Sequence, residues 1–284
     1  MSHDALRLGR IDYLNVLPLF HHLERRFAGR EDIVSRRGHP AELNRLLAEG
    51  RLDVAPASAF EYLRAAENYR LLPNAAISAP GAVQSVLLLS PYEREETFAW
   101  AARPGAEIGL TSASASSAAL LKVLWRLAWR LPEPTWREIE PGSGLAGERP
   151  FLEIGDLALR RRLDPPRGWT IIDLGLEWRR WSGLPFVFAV WFVRRGLGPA
   201  QQRALREIQA ELMAARRELP AILEGLADSP QRPDWLPRAA FLEYFQAVRY
   251  DFGPAEQTGL LLFADACRRL GLLTGAPALV WQPD

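Results

Sequence analysis

Cysteine, lysine and histidine are scarce in this chain of 284 residues. The single cysteine, Cys267, excludes an intrachain disulfide framework and any zinc site built from several thiolates. It lies in an apolar run (LLLFADAC), where a thiol reads as buried filler rather than as half of a Cys-His dyad. Lys122 is the one lysine among 35 basic residues, a skew toward arginine that reflects genome composition rather than chemistry. The four histidines, His3, His21, His22 and His39, all fall within the first forty residues. That is too sparse for a His-rich metal centre, so neither a metal nor a cofactor is expected. Basic and acidic residues nearly balance, 35 against 34, which removes the basic excess a nucleic-acid binder carries. The longest apolar run, Leu184 to Val193, is interrupted by Pro185 and is about half the ~20 residues needed to span a bilayer. The N-terminus has no basic stretch followed by an apolar core, so no export signal is expected and the default address is the cytoplasm. The nucleophile elbow, the HExxH helix, the phosphate-binding loop and the dinucleotide glycine fingerprint are all missing.

What is there is an ordinary globular balance, 48% hydrophobic and 24% charged, in a length that suits two domains. Strands are expected over Leu6–Ile11, Leu52–Ala55, Val83–Leu89, Glu107–Leu110, Phe151–Gly155, Trp169–Ile172 and Phe186–Val193. A helix is expected over Pro40–Glu49, with Leu43, Leu46 and Leu47 on one face, proline in the first turn and Gly50 at the stop. The Thr111–Ser117 run opens a long helix to about Trp129, and Leu174–Trp181 is amphipathic. Glu133–Pro150, rich in Pro and Gly, reads as a surface loop. After Gly198-Pro199 four helical stretches follow: Ala200–Leu219, Ala221–Ala227, Ala239–Val248 and Pro254–Leu270. Strands alternating with helices imply βαβ units and mostly parallel sheets. The helical tail cannot build a sheet and is expected to pack on the first domain. The expected organisation is therefore a discontinuous lobe, 1–91 plus 196–284, and a second lobe, 92–195, crossed near residues 91 and 195. Such α/β lobes bind ligand in a cleft at the carboxyl ends of their strands.

Small polar residues follow these strands. Asn15 comes after the first, Ser58 after the second, Thr111 after Glu107–Leu110 and Asp156 after Phe151–Gly155, while Ser85 sits near the start of an apolar strand. Ser85 is hard to explain by packing, since branched apolar residues dominate such strands. Thr111-Ser-Ala-Ser-Ala-Ser-Ser117 offers hydroxyls and unpaired N–H groups at a helix start, a site suited to a carboxylate or phosphate. Plain capping is the competing explanation for the run and for Asp156, and a turn role competes for Asn15. The pairs and triples Arg160–Arg162, Arg179-Arg180 and Arg194-Arg195 read as solvated faces. Trp178, Trp181 and Trp191 read as core.

Six segments occur in order: Tyr13-Leu-Asn-Val-Leu-Pro-Leu19; Leu52-Asp-Val-Ala-Pro-Ala-Ser58 with Glu61-Tyr62; Gly81-Ala-Val-Gln-Ser-Val-Leu87; Thr111 to Ser117; Ile154-Gly-Asp-Leu-Ala-Leu159; and Gly183-Leu-Pro-Phe-Val-Phe-Ala-Val-Trp191. Together they resemble the MqnA-type chorismate dehydratases of the futalosine route to menaquinone, over nearly the whole chain. The resemblance implies an α/β fold like the type II periplasmic binding proteins, two-lobed with a hinge and cleft. It also implies chorismate as substrate, no nucleic-acid or membrane partner, and 3-[(1-carboxyvinyl)oxy]benzoate as product. On this reading Asn15 is catalytic, and Ser58, Ser85, Thr111, Ser114, Ser116, Ser117, Gly155 and Asp156 bind substrate. Two departures stand out: Ser116-Ser117 replaces a usual Thr-Ser pair, and Glu153, expected at an exposed strand position, replaces an apolar residue. The sister 1,4-dihydroxy-6-naphthoate synthases fit less well. Their Ser-Pro-Cys-Pro-Asn-Asp loop is replaced by Tyr13-Leu-Asn15, and their catalytic histidine would fall near Gly155. A non-catalytic solute-binding protein of the same fold is the rival class, disfavoured by the missing export signal. A transcription regulator's sensing half would need a DNA-binding motif for which no room precedes the first strand. No histidine is expected in the cleft loops, so the residues supply hydrogen-bond donors but no obvious base.

Overall fold

The computed structural model describes residues 5–275 and 278–283. In chain order the elements are β1 (Leu6–Ile11), α1 (Leu17–Arg26), β2 (Ile33–Gly38), α2 (Pro40–Ala48), β3 (Val54–Ser58), α3 (Ala59–Arg64), β4 (Tyr69–Ala79), β5 (Val86–Ser90) and α4 (Arg94–Ala101). There follow β6 (Glu107–Thr111), α5 (Ala115–Val123), β7 (Thr135–Ile139), β8 (Phe151–Ile154), α6 (Gly155–Leu163), β9 (Thr170–Asp173), α7 (Leu174–Ser182) and β10 (Phe186–Arg194). The chain ends in α8 (Pro199–Arg217), α9 (Leu219–Ala227), α10 (Arg238–Ala247) and α11 (Pro254–Arg269). No helix among the described residues is long and apolar enough to cross a membrane.

The chain divides into two compact units. The first holds the residues up to Ile77, Phe188–Gly253 and the C-terminal segment; the second holds Ser78–Val187 and the stretch beginning at Pro254. The chain thus changes unit inside β4 and inside β10, earlier than the expected crossings near 91 and 195. The tail is also shared: α8 to α10 belong to the first unit, but α11 belongs to the second. The reason is aromatic packing. Phe263 of α11 sits 4.9 Å from Phe186 and 6.0 Å from Trp178, ring centre to ring centre, in edge-on contacts. Cys267, one turn further along this apolar face, is fully buried, and burial pushes its thiol up to about 12.

The first unit's sheet has the order β2-β1-β3-β10-β4. β1 runs parallel to β2 and β3, and β10 is antiparallel to β3. A buried charge ties three strands together. Asp53, with no exposed surface, receives Arg7 Nε at 2.8 Å, Arg7 Nη2 at 2.7 Å, the Arg7 backbone N–H at 2.9 Å and Arg194 Nη2 at 3.0 Å. Burial pushes the Asp53 carboxyl up, but the bonds from Arg7 and Arg194 outweigh it and hold it below the usual range. Arg194 is therefore a structural partner rather than part of a solvated face.

The second unit's sheet has the order β7-β6-β8-β5-β9, with β6 parallel to β7 and β8, and β5 antiparallel to β8 and β9. Both sheets are mixed, not mostly parallel: β10 runs antiparallel to β3 in the first sheet, and β5 runs antiparallel to β8 and β9 in the second. β5 is buried on both faces: Leu87, Leu88 and Leu89 have no exposed surface, each leucine contributing roughly 1.5–3 kcal/mol by burial. Leu87 and Leu89 pack with Phe151 and Ala158.

Candidate active site

In the first unit the parallel run of β1 beside β3 brings the carboxyl ends of both strands to one edge of the sheet. Asn15 lies just past the end of β1, in a single helical turn, Leu14–Val16, whose flanking Leu14 and Val16 are buried. Asn15 itself is half-buried between them. Asn15 Oδ1 is nonetheless covered from solvent and has no hydrogen-bond partner among the described residues. A covered acceptor without a donor costs about 1–3 kcal/mol, so this amide oxygen is one of the few buried polar atoms of the described residues whose bonding capacity is unused. The backbone of Asn15 is fixed from far along the chain: Tyr250 donates its hydroxyl to the Asn15 carbonyl at 2.7 Å. Tyr250 is buried, and that burial, with Tyr244 nearby, pushes its hydroxyl well above the usual range, so it remains a donor.

Ser58 lies at the same edge, at the end of β3. Its hydroxyl accepts the Glu61 N–H at 3.4 Å as the N-cap of α3. His39 also lies at this edge: it follows β2 and is the N-cap residue of α2, beside the bond from Asp12 N to Gly38 O at 3.2 Å. The expectation that no histidine occupies these loops is therefore corrected. β2 went unseen in the sequence, so the loop after it could not be placed. His21 and His22 lie on α1, paired with Gln231 and Glu211; His3 lies outside the described residues.

In the second unit one edge carries the ends of β6, β7, β8 and β9 together with the start of β5. Ser85, Thr111, Gly155 and Asp156 all lie there, with the start of α5. Ser85 precedes β5 rather than lying within it; its hydroxyl reaches the Val83 carbonyl at 3.4 Å. Gly155 donates its N–H to the Ser85 carbonyl at 2.8 Å, which joins the two motifs directly. Gly155 has φ +65, a left-handed conformation that glycine adopts without strain. Asp156 is not the cap of α6: Ile154 occupies that position, and Asp156 sits in the first turn, where its charge complements the helix dipole.

Ser114 is the N-cap of α5, accepting the Ser117 N–H at 3.2 Å and donating to the Ser117 hydroxyl at 3.1 Å. Thr111 accepts the Ala113 N–H at 3.4 Å. Ser116 and Ser117 are buried. One residue of the run is thus a cap, leaving buried hydroxyls in the first turn beyond what capping uses.

Two buried carboxyl groups complete this edge. Glu153, expected to be exposed, is 2% exposed. It shares the face of Leu87 across the β5–β8 pair, and its Oε2 accepts the Gly142 N–H at 3.1 Å. Burial pushes its carboxyl up. Asp173 caps α7 and binds the Val83 and Gln84 amides; burial raises its carboxyl although the N–H groups of Leu176, Gln84, Val83 and Gly175 pull it down. Tyr250 and Asp173 were missed by sequence reasoning. Asp173 had a local signal, an aspartate between a strand and an amphipathic helix; Tyr250 had none.

A family model described as menaquinone biosynthesis matches residues 6–269. A chorismate dehydratase of Thermus thermophilus is 33% identical over 278 residues, spanning 91% of this chain and 94% of that protein. A chorismate dehydratase of Campylobacter jejuni is 28% identical over 269 residues, spanning 93% and 98%. Among solved structures, the alkanesulfonate-binding protein SsuA of Xanthomonas axonopodis pv. citri aligns with a TM-score of 0.68 at 17% identity, covering 100% of both chains. A Candida albicans protein described as having the generic periplasmic binding protein fold aligns with a TM-score of 0.57 at 12% identity, covering 99% of this chain and 98% of that one. The structural likenesses show the fold, that of the periplasmic binding proteins, and the sequence likenesses show the family: the chain belongs to the menaquinone biosynthesis family, as a relative of these chorismate dehydratases.

Proposed function

We propose that the protein dehydrates chorismate to 3-[(1-carboxyvinyl)oxy]benzoate and water, a carbon–oxygen lyase step of the futalosine route to menaquinone. The observation that carries this reading is the near-full-length similarity to two chorismate dehydratases. A biosynthetic step on a soluble metabolite fits the cytoplasm.

The reaction removes the proton on ring carbon 3 and the hydroxyl on ring carbon 4. The C3–H bond is acidified because its electrons delocalise through the neighbouring double bond into the ring carboxylate. Loss of the C4 hydroxyl then makes the ring aromatic. The reaction needs donors to a carboxylate, a proton for the departing hydroxyl, and orientation. In this reading the first turn of α5, with Ser114, Ser116, Ser117 and Thr111, takes one substrate carboxylate on hydroxyls and backbone N–H groups. Ser58, Ser85, Gly155 and Asp156 complete the substrate contacts. Asn15 orients the C4 hydroxyl by accepting its O–H on Oδ1, which is covered and unpartnered among the described residues, and so leaves the hydroxyl's lone pairs open to the incoming proton. The base is the enolpyruvyl carboxylate of chorismate itself. It hangs from the ether oxygen on the carbon that loses the proton, reaches that proton intramolecularly when bound in the right conformer, and passes it to the C4 hydroxyl, which leaves as water.

The test is incubation of the purified protein with chorismate and chromatography for the substituted benzoate. Stoichiometric appearance of that product as chorismate disappears is expected. Binding of chorismate without turnover would overturn the enzyme reading in favour of a solute-binding protein.

A further inference from the structure

We propose that Asp173 is a positioning residue for Ser85: its carboxylate clamps the Val83–Gln84 turn and so sets how Ser85 enters β5. The inference deepens the proposed function and rests on Ser85 touching the substrate.

Helix capping accounts for only part of what Asp173 does. Its Oδ1 accepts the Leu176 N–H at 3.0 Å, as an N-cap should. The same oxygen also accepts the Val83 N–H at 3.1 Å, and Oδ2 accepts the Gln84 N–H at 2.7 Å, from a turn 90 and 89 residues away in sequence. The two oxygens therefore have different jobs, one shared between helix and turn, the other given wholly to the turn.

The turn needs holding. Gln84 has φ +67, in the left-handed region that a non-glycine residue enters only when its surroundings impose it. Its side chain is nevertheless buried. The helix start is pressed against the turn: a Cβ on Gly175 would lie 2.6 Å from the Gly81 carbonyl oxygen and 3.2 Å from both Val83 N and Val83 Cβ. Ser85 is then pinned from both sides. Upstream, Asp173 holds the two preceding amides; downstream, Gly155 N–H holds the Ser85 carbonyl at 2.8 Å. Strained backbone, a charged acceptor given to the strained residue and a substrate-facing hydroxyl next in sequence form one unit.

Asp173→Ser separates the two jobs. A serine at the N-cap still accepts from Leu176 but is one atom too short to serve Gln84, so the helix is kept and the clamp is lost. The expected result is a thermal midpoint close to the parent's, faster amide hydrogen exchange in peptides spanning 83–85, and kcat on chorismate lowered roughly tenfold or more with a smaller change in KM, the loss of a hydrogen bond to a charged group. Combined with Ser85→Ala, Asp173→Ser should then cost less than about twofold further, because the two changes remove one shared effect. Unchanged exchange at 83–85, or losses that multiply in the double variant, would overturn the assignment. If Asp173→Ser fails to fold, Asp173→Asn, which keeps the size and one acceptor oxygen, is read the same way. Full turnover by Ser85→Ala alone would instead overturn the role of Ser85 in the proposed reaction; the clamp itself stands or falls on the exchange rates.

Discussion

Tyr250 donates its hydroxyl to the backbone carbonyl of Asn15 at 2.7 Å, across 235 positions of sequence. The strand edge that presents Asn15 is therefore held by a residue from the loop after α10, in the same unit. Tyr250→Phe removes one oxygen and little else. It leaves the Asn15 carbonyl short of a donor in a buried place, at a cost of about 1–3 kcal/mol in stability. It also frees the turn that aims the Asn15 amide. We expect kcat on chorismate to fall roughly five- to tenfold with KM changed less, about 1 kcal/mol of orientation lost. Steady-state kinetics beside a thermal melt checks this. A lower melting point with unchanged kcat would make the bond purely structural.

The buried hydroxyls of Ser116 and Ser117 can be tested apart from capping, because the cap is Ser114 Oγ on the backbone N–H of Ser117. Replacing Ser116 and Ser117 together by alanine leaves that bond in place. Calorimetric titration with the benzoate product should show binding weakened by about 1–3 kcal/mol, as expected for lost hydrogen bonds to a carboxylate. Unchanged affinity would reduce the run to a well-capped helix.

Glu153 makes a prediction about pH. Burial raises its folded-state carboxyl above the ordinary value, so in the window between the two values the folded protein binds the extra proton. Stability from this group is thus present below the ordinary carboxylate range and declines as pH rises through the raised value. Glu153→Gln keeps an oxygen for the Gly142 N–H and abolishes the charge. The variant should melt higher than the parent at pH 7, by about 2–4 °C for each kcal/mol relieved, and no higher near pH 4. A variant that melts lower at pH 7 would show that the carboxylate is compensated where it sits.

Much of this architecture was legible in the sequence, and what was not has a common cause. β1, β6, β8 and the helices α2, α7 and α8 to α11 carry apolar periodicity and were placed to within a few residues. β2 and β7 were missed because they are edge strands: four of the six residues of Ile33–Gly38 are exposed, and Thr135–Ile139 has no buried residue. β4 was missed because Pro73 and the left-handed Asn74, φ 58, interrupt its pattern. Missing β2 hid the placement of His39. The motif residues were legible one by one, and so was their place at strand ends. Their supports were not: the hydroxyl of Tyr250 and the second oxygen of Asp173 act across long sequence separations, which no local pattern records.

The identity of the base gives the last prediction, and His39 sharpens it. His39 stands at the carboxyl end of β2, next to the strand that leads to Asn15, so elimination by position no longer removes every protein base. Asp156, in the first turn of α6, is the other candidate. The two rivals and the substrate's own carboxylate differ in what each variant does. If the enolpyruvyl carboxylate takes the C3 proton, His39→Gln and Asp156→Asn should both bind chorismate and keep appreciable turnover, within about tenfold of the parent. Asn15→Ala should lower kcat far more than it raises KM, since in the proposed reaction the amide acts on the departing hydroxyl in the transition state. The pH profile should agree. A substrate carboxylate is ionised throughout the neutral range, so kcat/KM should show no limb with the midpoint of an imidazole. If Asp156→Asn abolishes turnover with folding and binding intact, Asp156 is the base. If His39→Gln does so, and the parent's profile breaks near pH 6–7, the imidazole is. Either result overturns intramolecular proton removal, and the retained function of Asn15 would then rest on the hydroxyl alone.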